Sequence, residues 1–99
     1  MARFDVYRDP DGNGYLLDVQ ANLLSHLNTR IVVPLMLPAA APLPAKGLNP
    51  EFLIGDTAVV MLTQFLSAVP ASTLKEQVAT LDQHHTEIVA AIDFLMQGF

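Results

Sequence analysis

The sequence has no cysteine and few basic residues, and each shortage excludes a class of protein. Without cysteine among its 99 residues, the chain can form neither a disulfide framework nor a thiolate metal site. Five lysines and arginines stand against ten aspartates and glutamates, so the formal net charge is -5. The basic residues are scattered singly, whereas a nucleic-acid groove needs clustered cations. We therefore expect a protein partner and no direct nucleic-acid binding.

The chain also has no apolar run suited to a signal core or a membrane span. Its most apolar stretch, residues 31–45, is interrupted by four prolines, which break a helix. The first residues include Arg3 and Asp5, and no apolar core follows them. We expect a cytoplasmic protein with no membrane association, folded as a single domain over residues 1–99.

The apolar content is high for a chain of this length. Hydrophobic residues make up 52% of the sequence, and a small domain buries only part of its surface. A monomer would have to expose some of these side chains, and large exposed apolar patches mark association surfaces. The composition predicts a homodimer.

Short strands are indicated along the first two thirds of the chain. Residues 4–8 alternate apolar and polar side chains, which is typical of a half-buried strand. Residues 9–14 are rich in turn formers, and residues 15–20 fit the returning strand of a hairpin. Residues 31–33 are β-branched, and we expect the following Pro34 to close that strand.

A loop and a second hairpin are expected next. The alanine- and proline-rich residues 38–44 predict an extended, mobile loop. Residues 52–54 and 57–62 are apolar runs joined by Gly55 and Asp56, and glycine in the first position favours a type II′ turn.

From about Asp82 the apolar period becomes helical, with one face formed by Ile88, Ala91, Ile92, Leu95 and Phe99. Thr80 and Gln83 have the spacing of a capping box, with Asp82 as a competing cap, and Gly98 is the expected end. Strands followed by one helix predict an α+β fold, a small twisted sheet or barrel with a helix at one end.

Catalytic and metal sites are not indicated. His84 and His85 are adjacent, so on a helix their side chains diverge by about 100° and cannot share one ion. His84 and Glu87 could meet, but two ligands make no site, and a solvated helix face is the preferred interpretation. We expect a binding module without cofactors and not an enzyme.

The order of several blocks resembles the CcdB toxins over nearly the whole chain. The matching blocks are residues 4–7, 15–20, 30–35, 54–56 and 91–99. The resemblance implies a small SH3-like twisted β-barrel with short strands, a long C-terminal α-helix and a twofold homodimer. It also implies the toxin half of a plasmid-borne or chromosomal toxin–antitoxin pair, which binds the DNA gyrase A subunit and traps the cleaved DNA complex. A CcdA-like antitoxin would neutralise the toxin, and the pair would repress its own operon through DNA contacts of the antitoxin.

The resemblance also assigns a gyrase-binding end. The family closes its helix with Trp-Gly-Ile, which is matched here by Gln97, Gly98 and Phe99. Further gyrase contacts are implied at Asp93, where the family has asparagine, and at a polar-apolar-apolar run matched by Asn22, Leu23 and Leu24. The antitoxin is expected to contact a turn and the proline-rich loop, at Asp9, Asp11, Gly12, Asn13, Leu43 and Lys46.

Two alternatives remain open. A glutamine in place of the family's tryptophan is compatible with a CcdB-like protein whose gyrase end has drifted, leaving an antitoxin-binding or inert dimer. Less favoured is an endoribonuclease toxin of a related barrel fold, in which Thr29 and Arg30 would serve RNA cleavage without a surrounding positive field.

Overall fold

The computed structural model describes residues 2–12 and 14–98, which form seven strands and one C-terminal α-helix. The strands are β1 (Asp5–Arg8), β2 (Tyr15–Asp18), β3 (Thr29–Met36), β4 (Glu51–Ile54), β5 (Thr57–Met61), β6 (Ser67–Pro70) and β7 (Gln77–Thr80), and the helix is α1 (His85–Gln97). Short 3-10 helices cover Asn22–Leu24, Thr63–Phe65, Ala71–Thr73 and Asp82–His84. This order confirms the α+β class and the position of the helix.

All seven strands belong to one antiparallel sheet that curls into a half-barrel. The strand order is β4-β5-β3-β2-β1-β7, and β6 pairs with the first half of β3. On the edge opposite β2, β3 pairs with β6 through residues 29–32 and with β5 through residues 35–36. Because β3 changes partner midway, the sheet bends there, as the expected small twisted barrel requires.

Pro34 lies inside β3, so the expectation that it closes the strand was wrong. Its Cα pairs with that of Leu16 in β2, and its carbonyl accepts a hydrogen bond from the Leu62 amide at 2.9 Å. In a β-strand, the backbone nitrogen and carbonyl of one residue point toward the same neighbouring strand. At Pro34 both point to the side of β3 where β6 has ended and β5 begins to pair. No ladder donor is required there, so proline is tolerated.

The two predicted hairpins are present. β1 pairs with β2 across the turn after Arg8, where the Gly12 amide donates to the Asp9 carbonyl at 2.9 Å. β4 pairs with β5 with Ile54 opposite Thr57, and Gly55 has a φ of +62°, the sign that a type II′ turn needs. Strands β6 and β7 were not anticipated from the sequence.

The sheet is buried on both faces around β1, β2 and β3, which differs from the half-buried strand expected for residues 4–8. The main core fills the space between the sheet and α1 and includes Val6, Leu17, Val33, Ile88 and Ala91. The opposite face carries a second cluster of Tyr7, Leu16, Val32 and Leu74. Alternate side chains of one strand therefore enter different cores, because the segment containing Leu74 covers the outer face.

The ends of α1 follow the sequence only in part. A 3-10 turn at Asp82–His84 precedes the helix, and the Thr80 hydroxyl accepts from the Asp82 amide at 3.3 Å, so the capping box does not form. At the other end Gly98 has a φ of +80° and donates to the Phe94 carbonyl at 2.9 Å, which confirms the expected stop. Within the described part of the chain, no helix has the length and apolar character needed to cross a membrane.

Candidate functional site

The end of α1 exposes large apolar side chains. Met96 is 63% exposed and Phe94 41% exposed, while Gln97 and Gly98 are exposed and Asp93 is half-buried. Phe99, the third residue of the predicted gyrase-binding tripeptide, lies outside the described residues. This surface is apolar along the helix and polar at Gln97.

The second predicted gyrase element is the 3-10 helix Asn22–Leu24, which protrudes from the sheet. Leu23 is 87% exposed and Leu24 is 42% exposed. The side-chain oxygen of Asn22 accepts a hydrogen bond from the Arg3 amide at 2.7 Å, which ties this element to the N-terminal segment. The helix α1 instead packs against the 3-10 helix Thr63–Phe65. Within one chain, the 3-10 helix Asn22–Leu24 and the end of α1 are thus anchored to different parts of the fold.

The turn that follows β1 brings three of the predicted antitoxin contacts together. The Asp9 carboxylate accepts the Asp11 amide at 2.9 Å, and Gly12 bonds to the Asp9 carbonyl. Asn13 falls outside the part of the chain that is described.

Two shallow grooves meet beside this turn and share Arg8 and Gly12. One groove, of about 340 Å³, is lined by Arg8, Asp9, Pro10, Gly12, Thr73, Lys75 and Glu76. The other, of about 210 Å³, is lined by Arg8, Gly12, Gly14, Tyr15, Leu37 and Thr57. The Arg8 guanidinium lies 5.8 Å from the centre of the Tyr15 ring and pairs with Glu76 at 3.2 Å. The surface can accept both apolar and charged groups of an extended segment.

The remaining antitoxin contacts, Leu43 and Lys46, lie on the loop between β3 and β4 and not in the grooves. Leu43 is 95% exposed, and Lys46 is also exposed. The next residue, Gly47, lies against α1, since a Cβ added there would stand 3.8 Å from the Phe94 ring. One end of this loop starts beside the grooves at Leu37, and the other reaches the helix end.

A buried ion pair lies beneath the sheet surface. Arg30 is 1% exposed, and its Nε donates to Oδ2 of the fully buried Asp18 at 2.9 Å. Burial raises the pKa of Asp18, although hydrogen bonds from Arg30 and the Gln20 amide act in the opposite direction. Burial, followed by the charges of Asp5 and Asp18, also raises the pKa of Tyr7. This pair is part of the interior, and its guanidinium is shielded from solvent.

His84, in the 3-10 turn before α1, is half-buried, whereas His85, the first residue of α1, and Glu87 are exposed, so the expected solvated face holds for His85 and Glu87 and only in part for His84. The His84 ring centre lies 4.9 Å from that of Phe52, and the His85 and Phe4 ring centres are 5.3 Å apart with the ring planes nearly perpendicular. His84 Nδ1 is 3.3 Å from a Glu87 carboxylate oxygen. Over residues 2–12 and 14–98, no three histidines or acidic side chains come together as metal ligands.

Sequence reasoning missed most of the residues that line the two grooves. Tyr15, Leu37 and Lys75 come from three separate segments, and only the folded sheet brings them beside the turn. A usable signal was present at Arg8, a cation at the end of a strand immediately before a turn.

Solved structures support the fold. The chain of a structure titled "Endoribonuclease from Mycobacterial species" is similar with a TM-score of 0.79 and 14% identity, over 97% of this chain and 90% of that one. A second, titled "Endoribonuclease in complex with its cognate antitoxin from Mycobacterial species", has a TM-score of 0.78 and 15% identity, over 97% and 94% of the two chains. At such identities the likeness concerns the fold alone.

A family comparison covers nearly the entire sequence. The family described as "CcdB protein" matches residues 3–98, which include every block that carried the resemblance except the last residue. With the half-barrel, the terminal helix and this match in agreement, the chain belongs to the CcdB family.

Proposed function

We propose that this chain is a DNA gyrase poison that acts as a homodimer and is neutralised by a CcdA-like antitoxin. Membership of the CcdB family supports the broader role, that of a toxin in a toxin–antitoxin system. The gyrase A subunit is the proposed target, and the proposed contacts are Gln97, Gly98 and Phe99 with Asp93 and the 3-10 helix Asn22–Leu24.

The observation that carries this proposal is the exposure of apolar side chains at the proposed contact Leu23 and at Met96, which adjoins the proposed contact Gln97. Leu23 is 87% exposed and Met96 is 63% exposed. Exposed apolar surface costs roughly 25 cal/mol per Å², and a protein partner that covers it recovers that free energy. Both residues therefore have the character of binding contacts.

The grooves beside residues 9–12 support an antitoxin site. One of them is lined by Leu37, where the loop bearing Leu43 and Lys46 begins, and that loop ends against Phe94 of α1. A segment that followed the loop from the grooves would reach the helix end. This geometry favours an antitoxin that competes with gyrase for the same end of the molecule.

An endoribonuclease activity is less well supported, although structures with that title share the fold. A catalytic arginine has to reach the phosphate of RNA at the surface. Arg30 is 1% exposed and its guanidinium contacts the Asp18 carboxylate at 2.7 Å. The Arg30 guanidinium therefore pairs with Asp18 in the interior and does not reach the surface. The net charge of -5 also opposes RNA binding.

The proposed site can be tested by removing residues 97–99. We expect the truncated protein to lose inhibition of gyrase supercoiling and to keep its fold, because Ile88 and Ala91, the fully buried residues of α1, are retained. Supercoiling assays with purified gyrase, alongside circular dichroism of the variant, measure both. Undiminished inhibition by the truncated protein would contradict the assignment.

A matched pair of substitutions separates the two proposed partners. Leu23→Asp should weaken gyrase inhibition, whereas Leu43→Asp, at an equally exposed leucine, should weaken antitoxin binding and leave gyrase inhibition unchanged. If the unmodified protein binds antitoxin but leaves gyrase active, the chain is a CcdB-like protein that has lost its gyrase-binding end. Cleavage of RNA by the purified protein would instead establish the endoribonuclease.

A further inference from the structure

We propose that the free edge of β4 binds an extended, basic peptide segment of a partner protein as an additional strand. The edge belongs to the β4–β5 hairpin and faces the 3-10 helix Asp82–His84, and none of the residues that line the space between them is assigned to gyrase or antitoxin. The proposal does not depend on either assignment.

The pairing of β4 with β5 shows which backbone groups point outward. The Met61 amide donates to the Pro50 carbonyl at 2.9 Å, which makes the next pair, Glu51 with Val60, non-hydrogen-bonded. The pair types alternate from there, so Leu53 with Ala58 is also non-hydrogen-bonded. The amide and carbonyl groups of Glu51 and Leu53 therefore face away from β5.

These outward groups are available because β4 is the last strand of the sheet. Its one partner strand is β5, and among the described residues no hydrogen bond reaches the outward amides and carbonyls of Glu51 and Leu53. A row of unpaired amides and carbonyls is a template for another strand. Alternate positions of an added peptide would pair with Glu51 and Leu53.

A groove of about 500 Å³ runs along the same edge. It is lined by Glu51, Phe52, Leu53, Ala58, Gln83 and His84. Phe52 is 4% exposed and points to the core face, whereas Leu53 is 64% exposed on the outer face. A groove can be lined by side chains from both faces of β4 only if the groove runs along the edge of that strand. The groove is therefore placed to hold a strand between β4 and the 3-10 helix.

The floor of the groove favours apolar side chains at alternate positions of the peptide. Leu53 lies opposite Ala58, and both side chains are on the outer face beside the edge. Edge strands usually carry lysine or proline, which prevent pairing with another strand, but the exposed residue Leu53 of β4 is a leucine. Covering this leucine is favourable at roughly 25 cal/mol per Å².

The charges around the groove select a basic peptide. Glu51 lines it, no lysine or arginine is among its lining residues, and His84 is bonded to Glu87. Asp82 adjoins Gln83, and Asp56 lies in the hairpin turn. Carboxylates at each end of the edge attract lysine and arginine and disfavour an acidic peptide or a nucleic acid.

The test is a titration of the isotopically labelled full chain with the blocked peptide Lys-Val-Lys-Val-Lys-Val-Lys, followed by NMR. We expect amide shifts at residues 51–54 and 83–84, and weaker binding at higher salt. Leu53→Lys places a like charge on the edge and should weaken binding by about tenfold or more. Leu23→Lys, the same change at another exposed leucine, should leave the affinity unchanged.

Two altered peptides complete the experiment. A peptide N-methylated at its three central residues loses strand donors on both edges and should bind far more weakly, and a glutamate analogue should not bind. The proposal is overturned by shifts confined to other residues, by equal affinity of Leu53→Lys, or by equal binding of the N-methylated peptide. It is also overturned if the peptide lowers the mass of the protein in light scattering, because the edge would then join two copies of this chain.

Discussion

At the scale of single residues, two ion pairs of the same chemistry differ in their surroundings. Asp18 and Arg30 are 0% and 1% exposed at their side chains, whereas Arg8 and Glu76 are 54% and 64% exposed. A buried charge has lost its hydration, so each member of the interior pair depends on the other. Nη1 of Arg30 has no hydrogen-bond partner among the described residues, which makes the Asp18 carboxylate its main compensation.

Removing one member of the buried pair should therefore be costly. We expect Asp18→Leu or Arg30→Met to lower the free energy of unfolding by about 3–5 kcal/mol each, because an uncompensated charge stays buried. The double variant should be destabilised by far less than the sum. Urea denaturation at fixed protein concentration measures all three, and additive losses would contradict this account.

The exposed pair provides the control for that cycle. Glu76→Leu removes the partner of Arg8 but leaves its guanidinium in water, so only a small change in unfolding free energy is expected. A loss at Glu76 as large as that at Asp18 would show that burial is not the deciding factor.

At the scale of elements, the β1–β2 hairpin depends on a close approach between its turn and β3. Gly14 has a φ of +102°, and a Cβ at that position would collide with the carbonyl oxygen of Leu35. Because the obstacle is backbone, no side-chain rotation relieves it. The turn that carries the proposed antitoxin contacts is thus fixed to the sheet by the absence of a side chain.

A pair of glycine substitutions tests this. Gly14→Ala should destabilise the protein by about 2–3 kcal/mol or more, since it adds a collision to the strain of a positive φ. Gly12 has a φ of +88°, and a Cβ added there would lie in open space. Gly12→Ala should therefore lower the free energy of unfolding by only about 1 kcal/mol. Thermal or urea unfolding measures both losses, and equal values would rule out the contact with Leu35.

At the scale of the whole molecule, one chain leaves much of its apolar content uncovered. The exposed large hydrophobic residues are Leu23, Leu24, Leu27, Leu37, Leu43, Leu53, Phe65, Phe94 and Met96. Such a surface favours association, and the proposed gyrase contacts lie on separate elements that a twofold partner could combine.

The expected state at micromolar concentration is a dimer. Analytical ultracentrifugation should give a mass near twice that of the 10.8 kDa chain, because burying these side chains offsets the entropy lost on association. The mass should decline on dilution as a reversible dimer separates. A stable, folded monomer at that concentration would show that the apolar surface serves other partners alone.

Local patterns in the sequence determined the elements whose geometry is local. The Gly55-Asp56 hairpin, the turn after Arg8 and the end of α1 at Gly98 each depend on φ angles and hydrogen bonds within a few residues. The helical period from Ile88 onward likewise predicts one buried face, on which Ile88 and Ala91 are fully buried and Ile92 and Leu95 are half-buried. The order and spacing of the sequence blocks extended this to the resemblance to the CcdB family.

Tertiary structure alone decided the features that depend on a distant neighbour. Pro34 remains inside β3 because β6 and β5 meet there, and β1 is buried on both faces because the segment around Leu74 covers it. Phe4 adopts a φ of +73° while its amide donates to the Asp18 carbonyl and its own carbonyl accepts the Leu81 amide. Arg30, which the sequence allows at a surface or in a catalytic site, is fixed in the interior by Asp18. These outcomes depend on pairing and burial between segments far apart in the chain, which no periodicity in the sequence encodes.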